Sequence, residues 1–106
     1  MTVDPRLTEH TTDVLLERLA AGAIRAAEIG ESAVRRLERD GSHGLAWFDA
    51  DYARRQAAAL DNWRLRRRPL GALHGLPVAV SDLVDTARIP TARGFPVDEG
   101  RLPKRD

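Results

Sequence analysis

The chain has 106 residues, 42% apolar and 31% charged, with 17 basic against 16 acidic side chains and a net charge of +1. That balance gives no overall attraction to nucleic acid or an anionic membrane, and the absence of cysteine excludes disulfides, thiolate metal sites and a cysteine nucleophile. No apolar run approaches the roughly 20 residues of a membrane span, and MTVDPRLTEHTTD lacks the basic and apolar regions of a signal peptide, so the expected location is cytoplasmic.

Residues 1–10 are polar, carry Pro5 and read as a loose lead-in. Thr11, Thr12 and Asp13 then offer N-caps, because their side-chain oxygens can accept from first-turn amides. Val14, Leu15, Leu16 and Leu19 follow, and Gly22 can close the helix in a left-handed conformation. The first predicted helix is therefore Asp13–Ala21. The second is Ala26–Arg39, with Ile29, Ala33 and Leu37 on one stripe and Val34 beside them. Glu31 stands four residues before Arg35, the favourable order for a helix pair, and Asp40-Gly41-Ser42 is a stop.

Leu45–Asp49 (LAWFD) is a short apolar run that could be a strand, since Trp47 and Phe48 suit a pleated surface. Asp49 or Asp51 can cap a third helix, Tyr52–Leu65. Ala53, Ala57, Leu60 and Arg64 share a stripe there, and its small residues would let the helix lie close to a sheet. Leu76–Val80 is a predicted strand with Val78 and Val80 on one face. Ser81–Gly94 then reads as a loop rich in turn formers, and the tail FPVDEGRLPKRD shows no periodicity. One or two short strands cannot make a stable sheet. The chain thus reads as the opening of an α/β domain: about three helices, one or two short strands and a loop.

The stretch Pro69–Gly94 concentrates the residue types that chemistry recruits: His74, Ser81, Asp82, Asp85 and Thr86. Ser81 ends the predicted strand, where nucleophiles often sit. It lacks the G-x-S-x-G elbow, and no base is placed beside it, which favours a turn hydroxyl. Asp82 and Asp85 could pair as acid and base, but loop aspartates more often bond nearby backbone amides. His10, His43 and His74 are scattered without metal-ligand spacing, and His74 before Gly75 reads as a turn residue. Arg64–Arg68 (RLRRR) is a basic cluster. It suits a solvated helix end better than a phosphate patch, because no aromatic residues interleave with it. No phosphate loop is present, no cofactor is implied, and the residues alone compose no complete catalytic constellation.

Gly71–Gly94, GALHGLPVAVSDLVDTARIPTARG, closely resembles the N-terminal hallmark of the amidase signature family. Upstream, Leu19 to Trp63 supplies in order the opening helix, the second-helix entry, the A-W segment and the Ala-rich helix typical of that family, so the resemblance covers nearly the whole chain. It implies an α/β fold several times this length that hydrolyses amides, or transfers the released ammonia, through a Ser–cis-Ser–Lys triad. The lysine would stand directly after the P-V-A-V run and act as base through the cis serine, burial depressing its pKa. Both serines would lie further along, beyond Asp106.

Two departures qualify what the resemblance implies. Ser81 occupies the lysine position, and a serine hydroxyl is no base near neutral pH. Neither family serine has a counterpart in the chain. Arg88 also stands where a glycine is usual, in a loop expected to need positive φ, and Phe95 where a small residue is common. The expectation is an N-terminal amidase-type segment without catalytic residues of its own. One alternative is a small non-catalytic binding or regulatory protein whose sheet is completed by a partner chain or by self-association. A nucleic-acid module using Arg64–Arg68 is the least favoured.

Overall fold

Helices form where the apolar spacing and the caps place them. In the computed structural model, which describes residues 2–41 and 44–106, these are α1 (Thr12–Ala21), α2 (Ala26–Asp40) and α3 (Ala50–Leu65). Ser42 of the expected stop and His43 lie outside the described residues. Short 3-10 turns occupy Leu7–Glu9 and Pro96–Asp98. Each predicted helix is present, with ends shifted by two residues at most. Gly22 closes α1 at φ 74°, and Asp49 caps α3 by accepting the Tyr52 amide at 3.0 Å.

The α/β expectation is overturned: the described residues contain no strand. Leu76–Val80 and Leu45–Asp49 carry no regular secondary structure. The side chains of Leu76–Val80 suit a pleated surface, but a strand exists only where a second segment answers its backbone groups. Among the described residues no segment does so for 77–80.

The chain divides into two units, Met1–His43 with Asp49–Pro77, and Gly44–Phe48 with Val78–Asp106. The first unit holds the hydrophobic core. Val3, Leu7, Leu15, Leu19, Ile24 and Ile29 form one buried cluster, with Leu16 and Leu76 packed against it. The expected loose lead-in is therefore part of the core, because Val3 and Leu7 close over it. On α2, Ile29 and Val34 are fully buried, whereas Ala33 and Leu37 are half-buried. Ser32 is buried as well, and its hydroxyl has no hydrogen-bond partner among the described residues.

The small residues of α3 serve a different neighbour from the one expected. They pack on α2, not on a sheet: a Cβ on Gly30 would stand 3.1 Å from the Ala57 Cβ, so the helices approach closely only because that Cβ is missing. The same helix pair shares a cap. Arg25 begins α2 without a side-chain cap, and its first amides are taken by Asp61 of α3. Ala26 N donates to Asp61 Oδ1 at 2.8 Å and Ala27 N to Oδ2 at 2.9 Å, while Arg25 N donates to Glu28 at 3.2 Å. Glu31 joins the helices again, accepting from Arg35 at 3.0 Å and from Arg54 at 2.8 Å.

A carboxylate that satisfies two otherwise orphaned amides has a measurable effect. Asp61→Ala should lower the unfolding free energy by about 1–2 kcal/mol, read by urea denaturation followed through the helical circular dichroism signal. Asp51→Ala, on a largely exposed side chain, should change it by less than about 0.5 kcal/mol. Equal effects of the two substitutions would count against the shared cap.

Candidate functional site

The chemistry-bearing residues of Pro69–Gly94 fall into different units. His74 belongs to the first, and Ser81, Asp82, Asp85 and Thr86 to the second. Gly75 turns at φ 84° in the first unit, and a Cβ there would come within 3.0 Å of Leu19 and 3.3 Å of Ala26. That contact explains a glycine next to His74. His74 lines a small cavity together with Leu16, Ala20, Leu70, Gly71 and Ala72, and its buried Nε2 has no hydrogen-bond partner among the described residues. His74 lies within a turn, as expected, and its amide donates to the Gly71 carbonyl at 3.1 Å.

Ser81 is exposed and opens a turn: its Oγ accepts the Leu83 amide at 3.2 Å, and its carbonyl accepts the Val84 amide at 3.0 Å. This is the geometry of a turn hydroxyl. The two aspartates do not form an acid–base pair. Asp82 accepts the amides of Ala92 and Gly94, each at 3.2 Å, and so ties both ends of the loop together. Asp85 meets Arg101 in a two-point pair, both bonds at 2.8 Å, and Arg93 at 3.3 Å. Thr86 is half-buried, and its carbonyl accepts the Ile89 amide at 3.1 Å.

The Arg101 guanidinium hydrogen-bonded to Asp85 holds its carboxyl at about 2, with the nearby Arg93 charge adding to the effect. Two backbone bonds, Arg88 N to Pro103 O and Thr91 N to Arg101 O, both 2.9 Å, bind the tail to the loop. Arg88 and Arg93 adopt φ 65° and 57°, so Arg88 occupies the left-handed conformation expected of the glycine it replaces. Arg101 is the residue that residue-by-residue reading missed. It lies sixteen residues from Asp85, a separation with no helical or strand periodicity to reveal it.

In the first unit a depression of about 290 Å³ is lined by Arg25, Ala27, Ala58, Asp61, Asn62, Arg64 and Leu65. Asp61 is already committed to the α2 amides there. The basic cluster at the end of α3 is partly engaged as well. Arg64 reaches the Ala20 carbonyl at 3.4 Å, and Arg68 lies 4.6 Å over the Trp63 ring. Among the described residues no group of His, Asp and Glu side chains could hold a metal ion, and no helix is long and apolar enough to cross a membrane.

The amidase family model matches residues 28–106, three-quarters of the chain. The chain belongs to the amidase family. A glutamyl-tRNA(Gln) amidotransferase subunit from Streptomyces coelicolor is 33% identical over 98 residues, 91% of this chain and 20% of that protein. The corresponding protein from Anaeromyxobacter sp. (strain K) is 38% identical over 90 residues, 83% of this chain and 18% of that protein. An amidase of Pseudomonas putida is 36% identical over 96 residues, 88% and 20% respectively. The chain thus spans about a fifth of the length of these relatives.

Two measurements test the loop. The folded-state pKa of Asp85, about 2, lies below the ordinary 3.8. Its ion pair therefore stabilises fully above about pH 4, and the contribution disappears as pH falls from there through 2. The Asp85 carboxyl resonance should titrate near 2 and move up toward 3.8 in Arg101→Gln; a midpoint unmoved by that substitution would contradict the pairing. Arg88→Gly should relieve a left-handed arginine at the cost of glycine's chain entropy, a net gain of about 0.5–1 kcal/mol. The check is slower exchange of the Thr91 amide, by roughly two- to five-fold.

Proposed function

We propose that this chain forms the N-terminal segment of an amidase-type fold and carries no amide-hydrolase activity by itself. The observation that carries this reading is Ser81. It stands where the family resemblance places the lysine base, and its Oγ already accepts the Leu83 amide. A serine hydroxyl holds its proton across the neutral range, so it cannot draw a proton from a nucleophile as a buried lysine can. Loss of an essential base commonly lowers turnover by orders of magnitude.

The neighbouring carboxylates do not fill the gap. Asp82 is hydrogen-bonded to two backbone amides and Asp85 is ion-paired with arginine, so both act on the shape of the loop. The length relation to the relatives supports the same reading, since a chain spanning about a fifth of an amidase depends on the rest of the fold for a nucleophile and a substrate pocket. That remainder would come from further polypeptide or from a partner chain. The reaction of the complete protein is amide hydrolysis or the transfer of amide-derived ammonia, as the family resemblance implies.

The assay is ammonia release from small primary amides by the purified chain. Turnover should equal that of a Ser81→Ala control and of buffer. Ser81→Lys should remain silent in isolation, because a restored base still has no serine to act on. Clear turnover by the chain as it stands would refute the proposal.

A further inference from the structure

The charges of this chain balance overall but not locally. Five arginines on or beside α2 and α3 are answered by carboxylates at 2.7–3.8 Å: Arg25 by Glu28, Arg35 and Arg54 by Glu31, Arg36 and Arg39 by Asp40. From Asn62 to Ser81 the sequence has no carboxylate, yet it carries Arg64, Arg66, Arg67 and Arg68. Asp61, just before, is committed to the α2 amides. Arg64 is used within the unit: its guanidinium reaches the Ala20 carbonyl and its Nε is buried. Arg66, Arg67 and Arg68 are exposed, and none of them has a carboxylate partner among the described residues.

These three arginines follow α3 on a stretch held in shape. The Trp63 indole N–H donates to the Pro69 carbonyl at 2.9 Å, which folds the stretch back on the helix end. Arg66 N donates to the Asn62 carbonyl at 3.2 Å and Arg67 N to the Arg64 carbonyl at 2.9 Å. The Arg68 guanidinium lies 4.6 Å from the centre of the Trp63 ring. Arg67 takes φ 53°, the left-handed position after a helix where glycine is usual. Attraction to the helix dipole accounts for a cation in the last turn, and so for Arg64. It does not account for an arginine in glycine's place, or for one stacked beyond the helix end. The apolar side chains of the same stretch are uncovered: Leu65 is 76% exposed, Trp63 42% and Leu70 37%.

We infer that Trp63–Leu70 is a docking surface for an acidic segment of a partner protein, one whose carboxylates are interspersed with apolar side chains. Charge complementarity names the occupant. Three unanswered guanidinium groups offer planar forks that fit carboxylates at two points. Arg68, already held against the indole, loses little freedom on pairing. Leu65 and Leu70 suit the apolar neighbours of such carboxylates, and Trp and Arg are the side chains on which protein interfaces concentrate binding energy. A single-stranded nucleic acid fits less well. It stacks its bases on open aromatic faces, whereas Trp63 gives a face to Arg68, and exposed leucines offer nothing to phosphates. The surface lies wholly in the first unit, apart from Ser81 and its loop, so it does not depend on the catalytic state of the chain.

The test titrates a fluorescein-labelled peptide of alternating glutamate and leucine pairs with the full chain and follows its anisotropy. Saturable binding is expected, together with a shift of the Trp63 indole N–H resonance. The joint substitution Arg66→Glu, Arg67→Glu and Arg68→Glu should weaken binding by at least about tenfold, and Leu65→Asn by roughly threefold or more. Arg55→Glu, the same charge change at another exposed arginine of α3, should leave it unchanged. A peptide with glutamine in place of glutamate should not saturate. All these substitutions are at exposed positions, and the helical circular dichroism of α1–α3 verifies that each variant is folded. Absence of saturable binding, equal binding of the glutamine peptide, or binding indifferent to the triple substitution would each overturn the inference. So would an oligouridylate of equal charge that binds more tightly than the peptide, which would assign the arginines to nucleic acid.

Discussion

Helix α2 starts at Ala26 with no cap from its own N-terminal residue, and the carboxylate that receives its first amides comes from Asp61, on α3. Two buried or half-buried amides without acceptors would be costly, so this contact fixes the position of α3 along α2. The remaining contacts of the pair follow from it. Gly30 and Ala57 meet where neither carries bulk, and Glu31 reaches Arg54 across the same face. With α2 held in that rotation, Ile29 faces the cluster of Leu15, Leu19 and Ile24, and Gly75 fits under Leu19. The first unit is an ordinary hydrophobic core locked at one end by a polar contact.

The second unit rests on a different principle. Its geometry comes from carboxylates: Asp82 gathers two amides of the loop, Asp85 draws Arg93 and Arg101 together, and Ala87 N donates to Asp106 at 2.7 Å. Such bonds define a shape, but partly exposed ion pairs contribute little stability, and they bury few apolar atoms. The unit therefore has the internal order of a folded loop while Val78, Val80, Leu83 and Val84 stay exposed. This combination fits a segment that spans about a fifth of its relatives.

Much of the fold was legible from local signals. The three helices are visible because apolar spacing, the glycine after α1 and the aspartate before α3 each act within a few residues. The turn role of Ser81 and the backbone bonds of Asp82 were legible for the same reason. The long-range features were not. Asp85 and Arg101 are too far apart for any periodicity to join them, and the burial of Val3 and Leu7 depends on a core assembled by later helices. The small stripe of α3 correctly implied a close neighbour, but pattern alone could not say whether that neighbour was a sheet or α2.

What the sequence by itself determined is the family, the helices and the position of Ser81, since each depends on residue identity or on contacts within a turn or two. What the tertiary structure decided is the fate of Leu76–Val80. Its β-branched side chains led to the expectation of a strand, but a strand is a property of two segments, and among the described residues no backbone group pairs with 77–80. The segment therefore has the composition of a strand without the conformation of one, and its valines stay in solvent. Helices satisfy their backbone from within, whereas strands require a neighbour, and that difference is why the three helices were legible in the sequence and the expected strand was overturned.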